Sequence, residues 1–266
     1  MRLTATRLVT AVAVGVVAGF LAGLFGVGGG ILMVPALVMV MHLDQRLAHG
    51  TSLAAIVPIA VASTLSYAIS GEVDWAVAAC LAVGALAGAV VGTHLLRRVP
   101  ERALSLAFVA LLLITAVRLV LDHSDAVGRG SLDAVDVLAL MASGLMAGIL
   151  AGLLGVGGGI IMVPVMVVGF DLSAAAAKGT SLAVIVPTAI VGTWRNLRNR
   201  NADLPIAMAA GLAGVVSGFL AGFVSVGMSE ALSNALFAAL LVAVSLQMSW
   251  KLWRGRRAEE PSAPLL

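Results

Sequence analysis

A forty-residue block occurs twice in the chain, and this duplication constrains the fold more than any other feature of the sequence. Residues 21–60 and 150–189 align without a gap at an offset of 129 positions, with 25 identities. An internal match of this length indicates two copies of one structural unit. We therefore divide the chain into a first repeat, residues 1–122, a polar linker, residues 123–135, and a second repeat, residues 136–266.

The composition places both repeats in a membrane. Of the 266 residues, 61% are hydrophobic and 11% are charged, and the mean hydropathy is +1.10. Soluble domains carry about 25% charged residues, which argues against a soluble enzyme or a nucleic-acid-binding module. Because a bilayer forces each spanning segment to satisfy its own backbone hydrogen bonds, the sequence predicts an all-α polytopic membrane protein.

One apolar segment in each repeat is too short to cross a membrane. These segments, residues 29–41 and 158–170, follow a glycine-rich loop and precede a polar break. A helix of about 13 residues is about 20 Å long, whereas the hydrocarbon core is about 30 Å thick. We therefore expect broken or re-entrant helices, and both a thin crossing and a return to the starting face stay open.

The distribution of arginine predicts that the repeats are inverted. Loop 71–74 has no basic residue and its counterpart 195–203 has three arginines, whereas loop 97–102 has three and its counterpart around 225–231 has none. Because basic loops stay in the cytoplasm, equivalent loops lie on opposite faces of the membrane. The sequence thus predicts two inverted-topology helical repeats with both termini cytoplasmic, an arrangement found in secondary transporters.

Four of the long apolar runs carry a glycine at every fourth position. Such rows form flat stripes on which a neighbouring helix packs closely. We interpret them as helix-packing surfaces. The rows are Gly15, Gly19 and Gly23; Gly84, Gly88 and Gly92; Gly144, Gly148 and Gly152; and Gly214, Gly218 and Gly222.

The two glycine loops are the first candidate binding site. Successive backbone N–H groups in such a loop form a concavity for an anion, and the free amides of the helix that follows add about half a positive charge. Two opposed loops predict an anion site near the midplane, and the alternative is a plain tight turn with close packing. The loop glycines are Gly26, Gly28, Gly29 and Gly30, and Gly155, Gly157, Gly158 and Gly159.

A Gly-Thr-Ser triplet in each repeat supplies a second set of candidates, Thr51 with Ser52 and Thr180 with Ser181. We expect each triplet to open a helix, where the hydroxyls act as caps alone or also contact an oxyanion. Lys178 lies next to the second triplet. A lysine inside a membrane segment is usually functional, so Lys178 is the candidate counter-charge for an anion. The alternative is that its side chain extends to a membrane interface.

The sequence contains no candidate catalytic or metal-binding group. It lacks the motifs of zinc-dependent proteases and serine hydrolases, and His, Asp and Glu do not cluster in any apolar run. Cys80 is the only cysteine, which excludes an internal disulfide. We therefore expect no enzymatic activity, no metal and no cofactor.

The duplicated block resembles the sulfite exporter TauE/SafE family. The pattern GxxGxGGGxxxxPxL, followed by a polar break and A-x-G-T-S-L, begins at Gly23 and again at Gly152. The resemblance implies a permease of the bacterial inner membrane that exports or imports sulfite, sulfonates or other small organic anions. Two departures are visible. Met166 replaces a leucine, and the first copy has His49 where the second has Lys178, so a symmetric basic pair is not expected.

Together these features predict a secondary transporter that moves a small anion by alternating access. The expected partners are the anionic substrate, the lipid bilayer and a coupling ion, either a proton or sodium, with no nucleic acid; a homo-oligomer stays open. A passive anion channel and a non-transporting membrane subunit are the alternatives. Neither the substrate nor the direction of transport follows from the sequence.

Overall fold

The described residues of the chain form a bundle of α-helices. The computed structural model describes residues 5–95, 109–110, 112–114, 116–117, 132–154 and 158–259. Within these ranges there is no strand, and the described positions of 109–117 are helical. The helices with defined bounds are α1 (Ala5–Phe25), α2 (Gly30–Met39), α3 (Gln45–Ile69), α4 (Trp75–Leu95), α5 (Ala134–Leu154), α6 (Gly159–Gly169), α7 (Ala174–Arg198), α8 (Leu204–Gly227) and α9 (Glu230–Glu259).

Length and apolar composition confirm the predicted class of an all-α membrane protein. Helices α1, α3, α7 and α8 are each long and apolar enough to cross a bilayer. Helices α2 and α6 are the predicted short segments, with 10 and 11 residues. Most of the predicted linker and the arginine-rich loop 97–102 lie outside the described residues.

Helices α3 and α7 begin earlier than predicted, so the expectation that the Gly-Thr-Ser triplets open these helices is wrong. The N-caps are Asp44, whose carboxylate accepts from the Arg46 amide at 3.2 Å, and Ser173, whose hydroxyl accepts from the Ala176 amide at 3.1 Å. Asp and Ser are strong N-cap residues, and the alanines that follow Ser173 have the highest helix propensity. The triplets therefore lie inside the helices.

The glycine rows are helix-packing surfaces, as predicted, and the structure shows that they join helices of one repeat to helices of the other. A side chain at Gly19 would collide with the carbonyl group of Gly214, and one at Gly148 would collide with that of Ala85. Glycine is required at these positions because backbone atoms of the neighbouring helix occupy the space of a Cβ atom. The rows join α1 to α8 and α4 to α5.

The order of these contacts gives the direction of each helix. The residue numbers of the contacts increase along both helices, from Gly15 of α1 with Ala210 of α8 to Gly23 with Gly218. The two helices are therefore parallel. Along α8, Gly211 lies against Ala55 of α3 and Gly222 lies against Ser66, so α3 is also parallel to α8. Since α1 and α3 run the same way, the intervening α2 must return to the end where α3 begins. The short segment is therefore re-entrant.

The equivalent helices α3 and α7 run in opposite directions. Gly50 near the start of α3 lies against Asn201, just beyond the end of α7, and Gly179 near the start of α7 lies against Glu72, just beyond the end of α3. The two contacts are the same contact with the repeats exchanged, as in an isologous interface. This reciprocity is consistent with inverted repeats. We refer to the end of the bundle where α3 begins as end I and the end where α3 finishes as end II.

Candidate functional site

The two glycine loops meet at half the depth of the bundle. A methyl group at Gly159 would stand 2.7 Å from the Gly26 carbonyl oxygen and 2.8 Å from the Val27 Cα. The neighbouring Gly28 lies between Ile56 and Ile185, its Cβ position being 3.1 Å from Ile185 Cδ1 and 3.6 Å from Ile56 Cγ2. These isoleucines are equivalent residues close to the middle of α3 and α7. The first loop therefore crosses the described end of the second loop, at Gly159, near the centre.

The loop glycines adopt backbone conformations that other residues rarely tolerate. Gly26, Gly28, Gly29 and Gly158 have φ between 69° and 78°. Gly29 and Gly158 are the N-caps of α2 and α6, and neither helix has a side-chain cap. Each is also packed against α1 or α5, where the carbonyl group of an alanine fills the space of a side chain. Gly155 and Gly157 lie outside the described residues.

The first amides of α2 and α6 have no hydrogen-bond acceptor within the described ranges at this crossing. The Gly29 carbonyl accepts from Leu32 and Met33, but the amides of Gly30 and Ile31 donate to no acceptor among the described residues. The same holds for the first two amides of α6. Orphan amides at a buried helix start call for an acceptor, and together they present about half a positive charge. The loops are thus suited to an anion.

Lys178 is buried beside the first loop. The residue is 1% exposed. It packs against Gly26 so closely that a Cβ atom added to Gly26 would stand 2.6 Å from Lys178 Cβ. The ammonium donates to Ser233 Oγ at 2.6 Å and to Ser225 Oγ at 3.4 Å. It also lies 5.6 Å from the centre of the Phe237 ring. The side chain thus turns into the bundle, and no carboxylate partner is found within the part of the chain that the structure describes.

Hydroxyl groups around Lys178 also cap the C-terminal end of α1. Ser225 Oγ donates to the Leu24 carbonyl at 2.9 Å, and the Tyr67 hydroxyl donates to the Gly23 carbonyl at 2.8 Å. These carbonyls belong to the last turn of α1, where no amide of the same helix can reach them. The end of α1, the start of α7 and the end of α8 thus form one polar cluster.

The sequence reasoning missed Ser225, Ser233, Phe237 and Tyr67. All four lie outside the duplicated block, in segments where no repeated motif marks them. The available signal was that hydroxyl groups in membrane helices need a partner. That signal does not say which helix supplies the partner.

The two threonines of the triplets join the repeats to each other. Thr51 Oγ1 accepts from the Asp203 amide at 2.9 Å, and Thr180 Oγ1 accepts from the Asp74 amide at 2.9 Å. Asp203 and Asp74 cap α8 and α4 through their carboxylates. The threonines therefore bind the helix start of the opposite repeat, and not their own helix as expected. A contact of either hydroxyl with substrate stays a prediction.

Ser181 differs from its neighbour. Its side chain is fully buried, and Oγ has no hydrogen-bond partner among the residues that the structure describes. The same oxygen lies 2.9 Å from the position of a Cβ atom on Gly159, at the crossing of the loops. It is one turn from Lys178 on the same face of α7. The equivalent Ser52 is also buried in α3.

We expect Thr180→Val to destabilise the protein by about 1–3 kcal/mol, because the Asp74 amide loses its acceptor. The matched control is Thr64→Val, because Thr64 Oγ1 is buried without a partner and its replacement is expected to be neutral. Thermal unfolding in detergent measures both. Equal melting temperatures for the two variants would contradict the assignment.

The described residues contain no group of three or more His, Cys, Asp or Glu that can hold a metal ion.

Comparison with known proteins identifies the family. The description "Sulfite exporter TauE/SafE" belongs to a family profile that matches residues 2–119 and 140–266. "Probable membrane transporter protein YunE" of Bacillus subtilis (strain 168) is 25% identical over 221 residues, which cover 74% of this chain and 81% of the relative. A "Probable membrane transporter protein" of Xylella fastidiosa (strain 9a5c) is 26% identical over 216 residues, covering 80% and 83%.

A third relative, a "Probable membrane transporter protein" of Haemophilus influenzae (strain ATCC 51907 / DSM 11121 / KW20 / Rd), is 31% identical over 159 residues, or 57% of this chain and 59% of the relative. No solved structure matches the chain. The profile covers both repeats and confirms the resemblance of the duplicated block. The chain therefore belongs to the sulfite exporter TauE/SafE family and is a membrane transporter.

Proposed function

We propose that the protein is a secondary transporter of a small anion, such as sulfite, a sulfonate or a related organic anion. One observation carries the proposal. Gly159, at the start of α6, contacts the first glycine loop beside a buried lysine whose described contacts are hydroxyls and an aromatic ring, and the first amides of α2 and α6 have no acceptor among the described residues. The family description names a sulfite exporter, which is the reason for testing sulfur oxyanions first.

Electrostatics favour an anion over a cation or a neutral solute. A lysine inside a membrane costs about 2.5–3.5 kcal/mol on insertion scales, so its retention at Lys178 needs a compensating use. An anion that contacts the ammonium and the helix amides compensates for this cost, because both carry positive charge. We assign Lys178, Ser181 and the loop glycines to the binding site.

The arrangement of the repeats supports an alternating-access mechanism. We place both termini in the cytoplasm, so that end I faces the cytoplasm and end II faces the opposite side of the bacterial inner membrane. The short helix α2 enters from end I, and α6, by the equivalence of the repeats, enters from end II. Rocking of one repeat against the other then opens the crossing of the loops to each side in turn. The glycine rows favour this motion, because helices that pack without interlocking side chains can slide past one another.

Counterflow in proteoliposomes tests the proposal. Vesicles loaded with unlabelled sulfite should accumulate external labelled sulfite transiently above equilibrium, because a carrier exchanges one substrate for another. A panel of sulfonates and short carboxylates extends the test to the other candidate substrates. Uptake that dissipates the gradient without exchange would indicate a passive channel and overturn the carrier mechanism. Absence of flux for the whole panel would overturn the proposed substrate class.

A further inference from the structure

We infer that a relay of hydroxyl groups carries protons between Lys178 and end II, so that the transporter moves a proton together with each anion. The inference rests on the proposed function, because it adds a coupling ion to the transport of the same anion. All members of the relay lie in the described part of the chain. They are Lys178, Ser225, Tyr67 and Glu72.

The charged form of Lys178 is buried in an unfavourable place. The residue is 1% exposed and lies just beyond the first turn of α7. Burial disfavours a charge, and the partial positive charge of a helix start disfavours a cation. The described hydrogen-bond partners of the ammonium are neutral hydroxyls. Once a bound anion has left, release of the proton removes the buried charge.

A continuous set of contacts leads from this ammonium towards end II. Lys178 Nζ donates to Ser225 Oγ at 3.4 Å. The Tyr67 hydroxyl interacts with the Ser225 side chain and with the charge of Glu72. Tyr67 and the Glu72 carbonyl also pack against Gly179, the residue that follows Lys178. Because a hydroxyl both donates and accepts a hydrogen bond, Ser225 and Tyr67 can pass a proton along.

The transfer leaves both hydroxyls unchanged. The Lys178 ammonium gives a proton to Ser225 Oγ, Ser225 passes its own proton to the Tyr67 oxygen, and Tyr67 passes its own to the Glu72 carboxylate. Each hydroxyl oxygen gains one O–H bond as it loses another, so that the lysine becomes a neutral amine. Glu72 then releases the proton to water at end II. During transfer the two hydroxyls turn away from the carbonyls of α1 that they bind in the structure.

Few other titratable groups surround the start of α7. The turn after α3 contributes Asp74 besides Glu72, but the Asp74 carboxylate caps α4 by accepting from the Val77 amide at 3.0 Å. Among the described side chains, the end of α1, the first glycine loop and α8 contribute none. Helix α9 begins at Glu230, one turn before Ser233, so Glu230 is the alternative outlet at the same end.

The relay departs from the symmetry of the repeats. Contacts that both halves share, such as those of Thr51 and Thr180, hold the two repeats together. A set of polar groups that occurs in one half alone is not required by the repeated fold, and this favours a functional role. The positions equivalent to the four relay residues hold His49, Leu95, Asn196 and Asn201.

The relay couples the proton to the anion through the charge on Lys178. The charged lysine and the anion cross together, and the neutral amine lets the empty site return without an unpaired buried charge, which is strongly unfavourable. Protons reach Lys178 from end II through the relay and from end I through water that enters the opened crossing. Exchange of one anion for another needs no release of the proton, whereas net transport does.

Methanesulfonate in proteoliposomes tests the coupling, because this anion of a strong acid carries no proton of its own near neutral pH. The membrane potential is held at zero with potassium and valinomycin. Counterflow at equal pH measures exchange, and uptake into vesicles that are more alkaline inside measures net transport. For wild-type protein we expect exchange, and also accumulation of up to about 10-fold for each unit of pH difference.

Two variants test the relay. Tyr67→Phe and Glu72→Gln should retain counterflow but reduce the rate of pH-driven uptake at least about 10-fold, because a positioned proton-transfer group accelerates transfer by about 100-fold or more. Asp171→Asn is the matched control. It removes an exposed carboxylate at the same end of the bundle, and asparagine tolerates the φ of 50° at this position. This variant should retain both activities.

The outcomes separate the relay from the proposed function. Wild-type counterflow without pH-driven accumulation would overturn the coupling but leave an anion transporter in place. Unchanged pH-driven uptake in both variants, or its loss in Glu230→Gln and not in Glu72→Gln, would overturn the relay. Loss of counterflow and uptake together in both variants would show a structural role and would also overturn it. Absence of counterflow in the wild type would count against the proposed function itself.

Discussion

Replacing Lys178 with glutamine is expected to reduce anion affinity at least about 30-fold, the effect of removing one partner from a buried charge pair. Lys178 is 1% exposed, and its ammonium is held by two serine hydroxyls next to the glycine loops. Glutamine keeps most of the length and the hydrogen-bonding capacity of the side chain but has no charge. Substrate binding to purified protein and initial rates of uptake into proteoliposomes measure the effect.

Two variants serve as controls for Lys178→Gln. Lys178→Arg keeps the positive charge and should retain measurable binding. Arg46→Gln removes a positive charge from an exposed position of the equivalent helix α3 and should bind as the wild type does. If a Lys178→Gln protein that is folded, as judged by its melting temperature, binds the anion with full affinity, then Lys178 is not part of the binding site.

The second large effect is expected for Gly159→Ala. Alanine is favoured over glycine inside a helix by about 1 kcal/mol, so local propensity alone predicts stabilisation. The added methyl group would instead press on Gly26 and Val27 of the opposing loop, at 2.7 and 2.8 Å. Overpacking of this kind costs about 1–3 kcal/mol. We therefore expect a lower melting temperature and loss of transport.

Gly169→Ala provides the matched control, because Gly169 ends the same helix and nothing lies within 4 Å of its Cβ position. This variant should be as stable as the wild type or slightly more so, and its transport should be unchanged. If Gly159→Ala transports at the wild-type rate with unchanged stability, the two glycine loops do not meet as described.

Much of the architecture could be predicted because it depends on features with a clear pattern. The offset of 129 residues between the repeats implies that a contact in one half recurs in the other, and the paired contacts of Gly50 and Gly179 show this recurrence. The glycine rows predict close helix packing because spacing by four residues places them on one face. Neither pattern specifies which helices meet.

The parts that could not be predicted depend on contacts between distant segments. The hydrogen bond from Asp203 to Thr51 joins residues 152 positions apart, and local sequence gives no sign of it. Ser225 and Ser233 are isolated hydroxyls whose importance comes from the neighbouring ammonium. The starts of α3 and α7 were misplaced because a Gly-Thr-Ser triplet has the composition of a cap, although stronger caps lie upstream.

Cysteine accessibility at two equivalent turns tests the inverted arrangement most directly. In a Cys80→Ala background, which removes the only native cysteine, single cysteines replace Glu72 in the turn after α3 and Asn199 in the turn after α7. A membrane-impermeant maleimide applied to intact cells should label the cysteine at position 72 and reach that at position 199 only after the cytoplasmic face is opened. Labelling of both cysteines from the same face of the membrane would contradict the inverted repeats and, with them, a binding site shared between two opposed glycine loops.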